Sequence, residues 1–144
     1  MIRKLEKKDK ENWAKLYNGY AKFYKVPMNK GILDTLWGWI HDESHIVNGI
    51  CFELENKIVG IAHYREMPRP ITGQCVGFLD DFSIDPDFRS KKIAQKLINH
   101  LKSLSKDNNW DGIRWITHSS NKTAKILYDK IGKNTGFELY ELKD

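Results

Sequence analysis

The sequence predicts a mixed α/β domain. Three observations predict it. Strand-like apolar runs alternate with helix-period runs in the second half of the chain. Two candidate strands flank a two-residue turn at Glu55-Asn56. A strand–helix–strand crossover then follows, and a crossover of that kind implies at least one parallel pair. The 144 residues suit one domain, 1–144, because no internal repeat, low-complexity tract or Pro/Gly/Ser linker interrupts them.

The elements follow in order. Ile2 to Leu5 reads as a short first strand. Asp9 to Tyr24 carries Trp13, Leu16, Tyr17, Tyr20 and Tyr24 at helical spacing, and Pro27 ends that helix. Asn29 to Ile40 reads as a second helix with Leu33, Leu36, Trp37 and Ile40 on one side. Ile46–Leu54 and Lys57–Arg65 form a hairpin around Glu55-Asn56. Met67 to Gly73, with two prolines and a glycine, reads as a loop before a strand over Cys75–Ile84. A long helix is expected over Lys91–Lys106, ended by Asp107-Asn108-Asn109. A strand over Gly112–Thr117 comes next, then a helix N-capped by Asn121 with Ala124, Leu127, Tyr128 and Ile131 on one face. Phe137 to Leu142 reads as a last strand.

Composition narrows the class. Hydrophobic residues at 40% and charged residues at 30% are ordinary for a soluble globular protein. No run approaches the ~20 apolar residues of a membrane span, and the N-terminus has no apolar signal region. A membrane partner is therefore not expected. Two cysteines, Cys51 and Cys75, are too few for a disulfide framework and suggest a reducing, cytoplasmic setting. The five histidines show no metal-ligand spacing, so no metal is expected. The net charge of +5 suits an acidic substrate, a polyanionic cofactor or nucleic acid. The cations are scattered, however, and no basic helix with interleaved aromatics argues for nucleic acid.

The densest information lies in Phe78–Lys102, FLDDFSIDPDFRSKKIAQKLINHLK. A strand with two adjacent carboxylates enters a turn, three cations follow, and an amphipathic helix begins. With Ser90 as N-cap, Lys91 and Lys92 fall in the first helical turn, where a cation is unfavourable by roughly 0.3–1 kcal/mol. An anion on the free amides would resolve the conflict. The segment is either a phosphate cradle or a solvated basic turn.

Asp80 and Asp81 sit mid-strand, and strict alternation sends them to opposite faces. One of them is either a general base in a cleft or a structural ion-pair partner of a residue such as Arg65 or Arg114. His63 is either a relay or substrate ligand, or a satisfied strand histidine. Tyr128, on the apolar face of the last helix, reads first as core.

FLDDFSIDPDFRSKKIAQKLINHL and NKTAKILYDKIGKNTGFELY together resemble two halves of one known signature, that of the GCN5-related N-acetyltransferase (GNAT) family. IVGIAHY before the core motif and WITHSSN after it are similar to Hpa2-like and diamine-acetyltransferase-like members. The resemblance covers roughly Lys57–Leu142. It implies a mostly antiparallel central sheet of six to seven strands flanked by about four helices, with a V-shaped splay between the two central parallel strands.

The resemblance also implies acetyl-CoA as cofactor and assigns roles. Phe82, Ser83 and Ile84 match the strand that pairs with the pantetheine arm. Arg89, Ser90, Lys91, Lys92, Ile93 and Ala94 match the pyrophosphate loop, with Lys92 standing where the family has its first glycine. Asn121 and Ala124 match positions along the cofactor arm. Tyr128 matches the acid that protonates the leaving thiolate, and Asp80 the carboxylate that deprotonates the amine. Asp80 is one methylene shorter than the glutamate of diamine-like relatives, which favours a water relay. Trp37, His63, Asp80 and His118 are the expected acceptor-side residues. The implied function is acetyl transfer to a primary amine, on a small molecule or a protein, by direct attack in a ternary complex. A homodimer is a family-level expectation. The alternative is a non-catalytic acyl-CoA-binding module, supported by Lys92.

Overall fold

The structure, a computed structural model, describes the backbone of residues 1–144 and every side chain except those of Ser90 and Lys91. In chain order the elements are β1 (Ile2–Lys4), a 3-10 turn (Lys7–Asp9), α1 (Lys10–Phe23), α2 (Lys30–Ile40), β2 (Val47–Leu54), β3 (Lys57–Arg69) and β4 (Gln74–Ile84). A second 3-10 turn (Pro86–Lys91), α3 (Ile93–Asp107), β5 (Ile113–Trp115) and α4 (Lys122–Ile131) complete them. The strands form a five-stranded sheet in the order β1-β2-β3-β4-β5. The first three pairings are antiparallel and β4–β5 is parallel.

Local chemistry explains the boundaries. Asn29 N-caps α2 by accepting the Ile32 N–H at 2.9 Å. The β2–β3 turn places Glu55 at φ 52° and Asn56 at φ 63°, the paired left-handed residues that match the twist of a two-residue hairpin.

The two faces of the sheet bury two cores. Ile50 and Phe52 of β2 meet Leu97, Ile98 and Leu101 of α3 on one face. Cys51, which alternates between them, joins Trp13 of α1 and Trp37 of α2 on the other. Gly77 of β4 admits the Trp110 ring so closely that a Cβ would lie 2.5 Å from it.

Four sequence expectations are corrected. The sheet has five strands rather than six to seven, and β5 is one of its two edge strands among the described residues. The expected strand at Phe137–Leu142 has no sheet partner, and Phe137, Leu139, Tyr140 and Leu142 are 77% to 99% exposed. Extended chain becomes strand only by pairing its backbone groups, and apolar residues on both of its sides give it no single buried face. Met67–Gly73 is not all loop, because β3 continues to Arg69 and pairs Pro68 with Cys75. The missing Pro68 N–H is tolerated because β2 pairing stops at Arg65, leaving one side of β3 free. Finally, α3 begins at Ile93 with Lys92, not Ser90, in the N-cap position, so both lysines precede the helix.

Arg3 ties β1 to the first turn and to β2. It donates to Asp9 Oδ2 at 2.7 Å and Oδ1 at 3.0 Å, and to Glu53 at 3.2 Å. The Arg3 hydrogen bonds hold the buried Asp9 carboxyl below its ordinary range. A depressed carboxylate contributes stability above its unfolded value and loses it as pH falls through the folded one. Asp9→Asn is therefore expected to lower unfolding free energy by about 2 kcal/mol at pH 7. The gap from wild type should close on acidification below about pH 4 in urea melts.

Candidate active site

β3 and β4 pair with a register shift: His63 lies opposite Asp81 and Tyr64 opposite Leu79, so Asp80 is an extra residue in β4. Such a bulge breaks the two-residue alternation. Both carboxylates consequently line the same cavities, instead of opposite faces as strict alternation predicts.

Each carboxylate is held. Both oxygens of Asp80 accept from Arg65 Nε, at 3.0 and 3.2 Å, so the ion pair anticipated with Arg65 is formed. Asp81 Oδ2 accepts the Tyr17 O–H at 3.0 Å and contacts His63 Nδ1 at 2.8 Å. The Trp13 indole N–H donates to His63 Nε2 at 2.9 Å. An indole nitrogen only donates, so Nε2 is bare and the imidazole proton sits on Nδ1, aimed at Asp81. His63, almost fully buried, thus acts as a strut between Trp13 and Asp81.

α1 supplies an aromatic ladder beside this pair. Trp13 stacks on Tyr17, Tyr17 on Tyr20, and Tyr20 meets Tyr24, with centroids 5.8, 5.6 and 4.7 Å apart. Burial, reinforced by the Asp81 charge, pushes the Tyr17 and Tyr20 phenols well above the usual range, so both remain donors. The helical spacing of these rings was visible in the sequence; their relation to Asp81 was not.

Two cavities meet at Asp80 and Asp81. The larger, of about 700 Å³, lies between α2 and the sheet, with Ile32, Leu36, Trp39 and Val47 among its walls and Arg65 at its polar end. The smaller, of about 20 Å³, opens where β4 and β5 part. Those strands pair only from Gly77–Leu79 to Ile113–Trp115, after which β4 runs on to Ile84 alone on that side. Tyr128 lines this cleft, edge-on to Trp115 at 5.4 Å. Burial, and then Tyr24, raises its phenol, keeping it protonated.

The start of α3 lies beyond the end of β4. Its first amides have no intrahelical acceptor, and the N-cap residue Lys92 makes no side-chain cap. Lys92 is at φ 58°, ψ 24°, left-handed backbone that disfavours a side chain by roughly 1–2 kcal/mol. The amide row fits an anion, and Lys92 and Arg89 are exposed beside it. The expectations for the Ser90 and Lys91 side chains lie outside the described residues.

The other expected residues are placed as follows. Phe82 lines the smaller cleft, and Ser83 and Ile84 continue the free side of β4. Ile93 is buried against the sheet. Asn121 N-caps α4 through the Ala124 amide at 3.4 Å and donates to the Tyr24 hydroxyl at 3.2 Å. Trp37 is core against Trp13; Trp39 reaches the larger cavity instead. His118 is exposed and bonded to Ser120 at 2.6 Å, outside both cavities.

A bulged strand bearing two carboxylates thus lies between two clefts, with a half-buried phenol in the smaller one and an open amide row at the start of α3. The chain belongs to the acetyltransferase (GNAT) family, whose model matches residues 13–132. Its class is therefore N-acetyltransferase. It is 26% identical over 143 residues to a D-amino-acid N-acetyltransferase, HPA3, of Saccharomyces cerevisiae, covering 98% of this chain and 89% of that one. Its fold matches a possible acetyltransferase from Clostridium difficile 630 with a TM-score of 0.86 at 21% identity, covering 100% of this chain and 97% of that one. It also matches a ribosomal-protein-alanine N-acetyltransferase from Brucella melitensis biovar Abortus 2308, with a TM-score of 0.82 at 22% identity and coverage of 100% and 98%.

Lys92→Gly is expected to stabilise the fold by about 1 kcal/mol, and Lys92→Ala not to, since alanine retains the left-handed penalty. Thermal midpoints of the three proteins check this.

Proposed function

We propose that the protein is an acetyl-CoA-dependent N-acetyltransferase that acts on a primary amine by direct attack in a ternary complex. The observation that carries this reading is the meeting of two cavities at Asp80 and Asp81. One cavity serves the donor and the other the amine, so the reacting atoms approach each other across the carboxylate pair. When bound, acetyl-CoA supplies an activated thioester carbonyl. The free backbone side of Phe82–Ile84 would hold the pantetheine arm as an added strand. The opening amides of α3, with Arg89 and Lys92, would hold the pyrophosphate, and Asn121 and Ala124 would flank the arm.

Asp80 removes the ammonium proton, directly or through a water, as its short side chain suits. Asp81, fixed by Tyr17 and His63, draws the ammonium into place. Tyr128 holds a proton for the departing sulfur. The acceptors in view are an amino acid, as the yeast relative's name gives for that protein, a polyamine or a protein amine. The free thiols Cys51 and Cys75 accord with a reducing compartment such as the cytoplasm.

The second reading, a non-catalytic acyl-CoA binder, rests on Lys92 in its left-handed position. Calorimetry with acetyl-CoA, followed by thiol release across an amine panel, separates the two: binding without release for any amine supports the binder. Asp80→Asn should lower kcat/KM by about 100-fold or more. Tyr128→Phe should lower kcat with acetyl-CoA affinity little changed. Because the Tyr128 phenol is raised, wild-type activity should show no alkaline loss from this residue up to about pH 10, its unshifted value. A homodimer is supported by the unpaired β5 edge and the exposed apolar tail. Sedimentation of wild type beside a chain ending at Gly136 tests it, a dimer lost on truncation being the expected result.

A further inference from the structure

We infer that the acceptor is an α-amino acid with an apolar side chain and that Arg65 is the anchor for its carboxylate. This deepens the transferase reading above and rests on it.

Arg65 is held at only part of its guanidinium. Its Nε is engaged by Asp80 at 3.0 and 3.2 Å, and its face lies over the Phe78 ring with 5.0 Å from Cζ to the centroid. Phe78 is its cross-strand partner on β4, so the stack is fixed by the sheet register. Among the described residues, Nη1 and Nη2 donate to no protein group. A guanidinium pinned by one edge and one face presents its remaining N–H groups in a preset direction, which is the donor fork that a carboxylate accepts. Arg65 lines the 700 Å³ cavity with Asp80 and Asp81.

The cavity therefore offers a cationic fork and two anionic groups side by side. An α-amino acid carries the complementary pair, an ammonium and a carboxylate on one carbon. With the ammonium at the carboxylates and the carboxylate on the Arg65 Nη atoms, the side chain enters the part of the cavity walled by Ile32, Leu36, Trp39 and Val47. Those walls are apolar, and the polar residues beside them, Asn29 and Thr35, carry no charge. A polyamine would set its second ammonium against the Arg65 charge or against apolar walls, and both are unfavourable. A lysine side chain or an N-terminus inside a protein brings no free α-carboxylate to Arg65.

The test compares leucine of either hand with 3-methylbutylamine, which is leucine without its carboxylate, and with leucinamide. Thiol release from acetyl-CoA is the readout, for wild type, Arg65→Gln and Arg65→Lys. The expected result is a wild-type preference for one leucine enantiomer over the amine of about 10- to 100-fold in kcat/KM, the size of one charge-assisted contact. Leucinamide should behave like the amine. In Arg65→Gln the preference should shrink to about threefold or less, with Arg65→Lys intermediate. Equal use of leucine and the amine by wild type, or an Arg65→Gln loss shared equally by both, overturns the anchor. If no acceptor releases thiol, the transferase reading fails, and the anchor is then judged by binding alone. In that case a saturable shift of the Arg65 side-chain 15N resonance with leucine, but not with 3-methylbutylamine, supports it; the same response to both, or none, overturns it.

Discussion

One extra residue in β4 governs this site. Without the bulge at Asp80, alternation would turn one of the two carboxylates toward α3, into the core that Leu79 and Ala62 occupy. A charge there would cost several kcal/mol with no partner to offset it. With the bulge, both carboxylates face the clefts, and each finds a partner on β3: Asp80 with Arg65, Asp81 with His63. The added residue also increases local twist, and β4 and β5 cease to pair directly after Leu79 and Trp115, next to the bulge. The position of the carboxylates and the opening of the smaller cleft thus share a location in the sheet.

The support behind Asp81 is unusually complete. His63 is fully committed, accepting from Trp13 and donating to Asp81, and Trp13 is itself wholly buried between two helices and the sheet. Protonating His63 would break the Trp13 bond, because Nε2 would then carry a hydrogen facing an indole N–H. Core packing on α1 is in this way transmitted to a carboxylate oxygen, and the aromatic ladder does structural and electrostatic work at once.

Much of the fold was legible in the sequence. The periodicities of α1, α2, α3 and α4, the Asn29 and Asn121 caps and the Glu55-Asn56 turn all follow from local chemistry. The elements misread were those decided at long range. The fate of Phe137–Leu142 depends on a partner edge, which periodicity does not report, and the extension of β3 through Pro68 depends on where β2 stops. At the site, Asp80 was legible as a charge on an inner strand. The shared facing of Asp80 and Asp81 was not, because a bulge is a property of two strands in register. Trp37 and Trp39, two residues apart on α2, were separable only once the helix was docked: the first went to the core, the second to the cavity wall. Lys92 was legible both as a cation misplaced at a helix start and as a replaced glycine, and its left-handed backbone supplies the conformational reason that glycine is expected there.

The Asp80–Arg65 pair is about one-third exposed on each side. A pair with that exposure contributes little to stability, of order 0–1 kcal/mol. Such a pair is better suited to exchange than to holding the sheet together, which the β3–β4 ladder already does over ten registered positions from Gly60 to Arg69. An incoming ammonium can take over part of the Asp80 charge while an incoming carboxylate takes over part of the Arg65 charge, so neither residue is left uncompensated when the acceptor excludes water. Charge balance is kept only for a ligand bearing both signs close together. A ligand with an ammonium alone would leave Arg65 with a weakened partner in a drier cavity, at a desolvation cost that the zwitterion avoids. On the proposed reading, the weakness of the ion pair in the free protein is what makes the site selective when it is filled.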